Sequence, residues 1–143
     1  MNEIKVRRLL ISGVITLLAF IAIEFIVESV VGNVLFSGAY DAWYGKLVIP
    51  NWTTANYALN IFIALVNSTM MMWLYAALRP MFGVGIRTAL ITSAFVFTFI
   101  AFYVVNQANL GIFPIWIASI ELLYLVIELP LALMAGAQFY EAG

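Results

Sequence analysis

The sequence predicts an all-α membrane protein: four transmembrane helices in an antiparallel bundle, with a short amphipathic helix at the membrane interface between the first and second. Three observations carry that reading. Of 143 residues, 66% are hydrophobic and 9% charged, against roughly 25% charged in soluble domains. Four apolar stretches, residues 9–31, 55–78, 86–105 and 112–137, each meet the requirement of about 20 helical residues for crossing a bilayer core. Five basic residues, Lys5, Arg7, Arg8, Arg79 and Arg87, flank these stretches on one side and only Lys46 on the other. By the positive-inside rule both termini and the turn between the second and third helices are then cytoplasmic. The whole chain, 1–143, reads as one integral membrane domain.

The first stretch follows Lys5, Arg7 and Arg8. Its length and the lack of a small-x-small cleavage site mark it as a span rather than a signal peptide. It loses apolar character at Gly32 and Asn33, residues that end helices. In the connector that follows, Phe36, Tyr40, Trp43, Tyr44 and Leu47 recur at helical spacing, with Asp41 and Lys46 off the stripe. That pattern predicts an interfacial helix, and Trp52 beyond it is a further interfacial anchor, since Trp and Tyr favour the headgroup region. The second span carries Asn60 and Asn67 near one face and runs into the short turn RPMFGVGIRT, which demands a helical hairpin. Gly83 and Gly85 in that turn form no nucleotide loop, because the third glycine, the lysine and the preceding strand are missing. The third span holds only Thr92, Ser93 and Thr98 as mild polar residues and ends in NQAN. The fourth carries Glu121, Glu128 and Pro130, then the small residues Ala132, Ala135, Gly136 and Ala137, which allow close helix approach.

With neither cysteine nor histidine in the chain, disulfides, thiolate chemistry, Fe–S ligation and the commonest general base and metal ligand are excluded. A net charge of −1 offers no footprint for nucleic acid. No triad, metal-ligand spacing or phosphate cradle is present, so the chain reads as no enzyme.

The intramembrane acids are the candidate functional residues. At ~1.5 Å per residue, Glu24 lies about 22 Å along the first span and Glu28 about 28 Å, near the outer headgroups. Measured from the outer end of the fourth span, Glu121 is about 13 Å deep and Glu128 about 24 Å on the same rise. Asn60 and Asn67, about 8 and 18 Å into the second span, bracket Glu24 and Glu121. The expectation is one polar cluster of Glu24, Asn60, Asn67 and Glu121, with Glu128 at the inner interface in snorkelling reach of Arg79 or Arg87. Apart from Arg87 at the very start of the third, no Lys or Arg lies inside a span, so the deep carboxyls are expected to hydrogen-bond to asparagine or backbone carbonyls rather than pair with a cation.

Residues 74–89, LYAALRPMFGVGIRTA, together with an early glutamate in the first span and ALMAG near the end of the fourth, resemble a family of small four-helix bacterial inner-membrane proteins of unknown function. The resemblance implies a fold and a compartment, the bacterial inner membrane, and no active site.

Three functional readings follow. The leading one is a non-catalytic accessory or assembly subunit of a larger membrane complex, or a homo-oligomer, with the lipid bilayer and other membrane subunits as partners. It is favoured by the minimal soluble mass and by methionine-rich surface such as Met70 to Met72, since methionine adapts to contacts. The second is a small proton- or cation-coupled transporter or channel using Glu24 and Glu121. The third is a pigment- or quinone-binding subunit; no cofactor is required by the sequence, although a bound lipid, quinone or pigment is compatible with it.

Overall fold

In the computed structural model, residues 5–27, 29–30 and 53–142 are described. They form four helices, α1 (Val6–Val27), α2 (Thr54–Phe82), α3 (Ile86–Asn109) and α4 (Ile115–Glu141), with no strand among the described residues. All four are long and apolar enough to cross a membrane. The interfacial helix expected around Phe36, Tyr40, Trp43 and Tyr44 lies outside the described residues, as do Glu28, Lys46 and Trp52.

All four helices extend beyond their apolar windows at one end or more, because helix and hydropathy end for different reasons. α2 continues past Leu78 through Arg79 and Pro80 to Phe82, where Gly83 takes a positive φ of 87° and its N–H caps the Arg79 carbonyl. Only glycine adopts that conformation without strain. α3 includes the polar NQAN segment to Asn109. α4 starts after Pro114 and runs unbroken through Pro130 to Glu141, although Pro130 leaves the Val126 carbonyl without its usual N–H donor. At its other end α2 opens with a reciprocal capping pair: Asn56 N–H donates to Thr53 Oγ1 at 3.4 Å and Thr53 N–H to Asn56 Oδ1 at 3.0 Å, which satisfies two orphan donors.

Around the bundle each helix neighbours the next in sequence and α4 closes on α1, the most extensive pairing, while α2 and α4 touch little. The buried residues form 3.6-period stripes: Leu9, Ser12, Gly13 and Thr16 on α1; Ser68, Met72, Tyr75 and Ala76 on α2; Thr88, Ala89, Thr92 and Ser93 on α3; Ala132, Leu133, Gly136, Ala137 and Tyr140 on α4. The stripes occupy the first half of α1 and α3 and the second half of α2 and α4. Contacts such as Tyr75 with Glu141 and Gly13 with Thr69 gather them at one end. At the other end, among the described residues, Val104 of α3 and Ile117 and Ala118 of α4 are buried apolar residues.

Glycine sets the spacing at the packed end. A Cβ on Gly13 would lie 2.9 Å from the Thr69 Cα and overlap its Oγ1. One on Gly136 would lie 2.9 Å from the Ser12 carbonyl oxygen and 2.8 Å from Met72 Sδ, and would strike Thr16 Oγ1. In lipid there is little hydrophobic gain from bringing helices together, so contact distance decides the association. The hydroxyls in the same layer do not bridge helices. Thr16 donates to the Ser12 carbonyl, Thr92 to that of Thr88 and Ser93 to that of Ala89, each at 2.8 Å. They satisfy themselves on their own helix and act between helices as small spacers; Ser12 Oγ, buried, has no hydrogen-bond partner.

Gly136→Ala should therefore destabilise the chain by about 1–3 kcal/mol through overpacking, read as a lowered thermal midpoint in detergent. Adding Thr16→Ala, which removes the atom nearest the new methyl, should recover part of the loss. An unchanged midpoint for Gly136→Ala would show that the helices do not approach this closely.

Candidate functional site

Beyond Thr16 the bundle opens. Every α1 residue that lines the cavity there, Leu17, Phe20, Ile21 and Glu24, comes after the packed stripe of that helix. The cavity has a volume of about 840 Å³ and is reached by side chains of all four helices. Its wall is apolar, with Phe20, Trp73 and Phe99 supplying aromatic surface and Leu125 and Leu129 the α4 side. Polar groups are few: Glu24 from α1 and Asn60, Asn67 and Ser68 from α2. Ser68 donates to the Leu65 carbonyl at 3.0 Å. Glu24, Asn60 and Asn67 are exposed on the single chain.

Three of the four residues of the expected cluster line this cavity. Glu24, Asn60 and Asn67 share the cavity, whereas Glu121, half-buried on α4, does not line it. Glu128 of α4, 5% exposed, lies within electrostatic reach of Glu24. Glu128 stands halfway between Ile115 and Glu141 on α4. The register follows from the packed end, because with Gly136 against Ser12 and Thr16 two further turns along each helix bring Glu128 level with Glu24.

Arg79 has a different acidic partner from the one expected. Its Nη2 lies 2.8 Å from Glu141 Oε2, and Arg87 is exposed. Glu141 also accepts from the Tyr75 hydroxyl at 3.0 Å, and that hydroxyl accepts from the Gly85 N–H at 3.0 Å. Tyr140 meets the Tyr75 ring edge-on, centroids 6.3 Å apart, and the Arg79 guanidinium lies 5.8 Å from the Tyr140 ring centroid. This network ties the end of α2, the turn before α3 and the end of α4 together. Tyr75 and Arg79, four apart on one helix, and the Tyr140–Glu141 pair were its sequence signals; nothing in their spacing said that the two pairs would meet.

Among the described residues no three His, Cys, Asp or Glu side chains gather as a metal site would need. The arrangement provides a recess of hydrophobic wall with one carboxyl and two amides for a polar head, and a second carboxyl behind the wall. Such a composition suits binding, in which a few polar groups orient a largely apolar molecule.

No protein-family model, curated protein or solved structure matches the chain.

Tyr75→Phe should cost about 1–3 kcal/mol, since it leaves the Gly85 N–H without its acceptor. Glu141→Gln should cost less, about 1 kcal/mol or below, because the ion pair is partly solvated. Combined in one chain, the two losses should fall short of additive when unfolding is followed in detergent, because both act on one network. Full additivity would mean that the hydroxyl and the carboxylate act independently.

Proposed function

We propose that the protein is a non-catalytic integral membrane protein that works by binding, holding a small hydrophobic molecule in the cavity between its helices. The helices alternate in direction across the bacterial inner membrane, with both termini and the packed end on the cytoplasmic side and the cavity in the outer half. The observation that carries this reading is the cavity itself. Its volume of about 840 Å³ falls within the range of roughly 300–1,000 Å³ typical of small-molecule sites. Its apolar wall with three exposed polar side chains matches the chemistry of such sites.

A second reading, an accessory subunit of a larger complex or a homo-oligomer, is supported by the outer face of α1. Leu10, Val14, Leu18 and Phe25 are exposed there at spacings of four and seven, the repeat of a helix–helix seam. The two readings are compatible, since the seam and the cavity draw on different residues of α1.

Native mass spectrometry of the chain released from its own membrane tests both. A retained small molecule that is lost in Ala64→Trp, a substitution that fills the cavity wall, is the expected result. A second copy or another subunit in the spectrum supports the oligomer or accessory reading. If the chain carries no bound species and takes up a hydrophobic dye equally with and without Ala64→Trp, the binding reading fails.

A further inference from the structure

We propose that the cavity holds a long-chain amphiphile lying parallel to the helices, its hydrogen-bonding head at the level of Asn60 and Asn67 and its hydrocarbon tail running toward Leu74. This rests on the binding reading and names the class of ligand and its orientation.

The first argument is shape. On α2 the wall runs from Asn60 to Leu74, about 21 Å at ~1.5 Å per residue. The volume of about 840 Å³, spread over that length, leaves a mean section of roughly 40 Å², or about 7 Å across. One or two extended alkyl chains in van der Waals contact at ~4 Å fill such a space; a compact body fills only part of its length.

The second argument is polarity. On the stretch of α2 nearer its start the wall carries Asn60, Asn67 and Ser68, whereas Met70, Met71, Trp73 and Leu74 beyond them bring no amide, hydroxyl or charge. The Ser68 hydroxyl donates to the Leu65 carbonyl. Asn60 and Asn67 are exposed, and each amide offers N–H donors and a carbonyl acceptor to a head group. On α1 the wall ends at Glu24, the lining residue farthest from the packed stripe, so its carboxyl belongs to the head side as well.

The third argument is depth and access. Asn60 lies about 9 Å from the start of α2 at Thr54, near one surface of a membrane that this helix is long and apolar enough to cross. From there the wall covers about two-thirds of a hydrocarbon core of ~30 Å. An amphiphile in a bilayer keeps its head at the surface and its tail in the hydrocarbon, and the cavity repeats that arrangement. The lining residues Ile21, Ile61, Met70 and Phe99 are exposed, so the space opens sideways along its length and a chain enters it from the surrounding lipid.

Four uncharged probes test the assignment: monolaurin, methyl laurate with the same tail and no glyceryl hydroxyls, monocaprylin with a shorter tail, and dilaurin with two tails. Each is added at equal mole fraction to micelles holding the purified full-length chain, and retention is read by native mass spectrometry. Monolaurin should be retained about fivefold more than methyl laurate, the size of one net hydrogen bond. Asn60→Leu combined with Asn67→Leu, at two exposed positions, should remove that preference. Leu74→Trp should weaken monolaurin and leave monocaprylin, whose tail stops short of it. Met70→Trp, on the same stretch but exposed, repeats the test without disturbing a packed neighbour. Retention of monolaurin alone identifies a single-chain source, and retention of dilaurin as well a two-chain membrane lipid; both support the proposal. If methyl laurate is held as tightly as monolaurin, or both tryptophan variants weaken the two tail lengths equally, while Ala64→Trp abolishes retention, the cavity binds but the amphiphile assignment is overturned. If Ala64→Trp changes nothing for any probe, the binding reading falls and the amphiphile with it.

Discussion

The contact of Gly136 with Ser12 and Thr16 is the constraint on which the rest of the structure depends. It holds α1 against α4 at a distance that no side chain at position 136 would permit, and it fixes their register. Once α1 and α4 are locked there, larger side chains farther along α1, Leu17, Phe20 and Ile21, cannot nest as Ser12, Gly13 and Thr16 do. The helices on that side enclose space instead of closing it. The cavity is thus a consequence of where the small residues stop, and the meeting of Glu24 with Glu128 is a consequence of the register that they set.

The polar chemistry divides between the two ends accordingly. At the packed end the charges are mutually satisfied: Arg79, Glu141, Tyr75 and the Gly85 N–H form one connected network that also fixes the turn into α3. At the open end Glu24 shares the cavity wall with aromatic and amide side chains. A molecule built only for stability would have little reason to place a carboxyl and two amides around an apolar recess, since polar side chains in hydrocarbon are costly to insert. The packed end provides the rigidity against which such a recess can be held open.

Most of the fold was legible in the sequence because span length and apolar content are dictated by the bilayer and need no tertiary knowledge. Span ends were less so. Hydropathy stops at Arg79 and at Asn106, whereas the backbone stops only where a glycine cap or a proline intervenes, as at Gly83 and Pro114. Glu24, Asn60 and Asn67 line one cavity because depth offsets on adjacent helices joined at similar levels partly cancel. The small stripe of α1 was readable in principle: Ser12, Gly13 and Thr16 show the same small-residue spacing as Ala132 and Gly136. The Tyr75–Glu141 bond, 66 residues apart in the chain, was not, since it depends on how two helix ends meet.

A cysteine-accessibility scan tests the central claim, that one end of the bundle is close-packed and the other hollow, most directly. The chain contains no cysteine, so single replacements report without background. In detergent, cysteines at Ile21, Ala64 and Leu125, on the cavity wall, should react readily with N-ethylmaleimide. Those at Ser12, Ser93 and Ala132, in the packed layer, should stay protected until the protein is unfolded. Equal reactivity in the two groups, or protection of the first and modification of the second, would contradict the account.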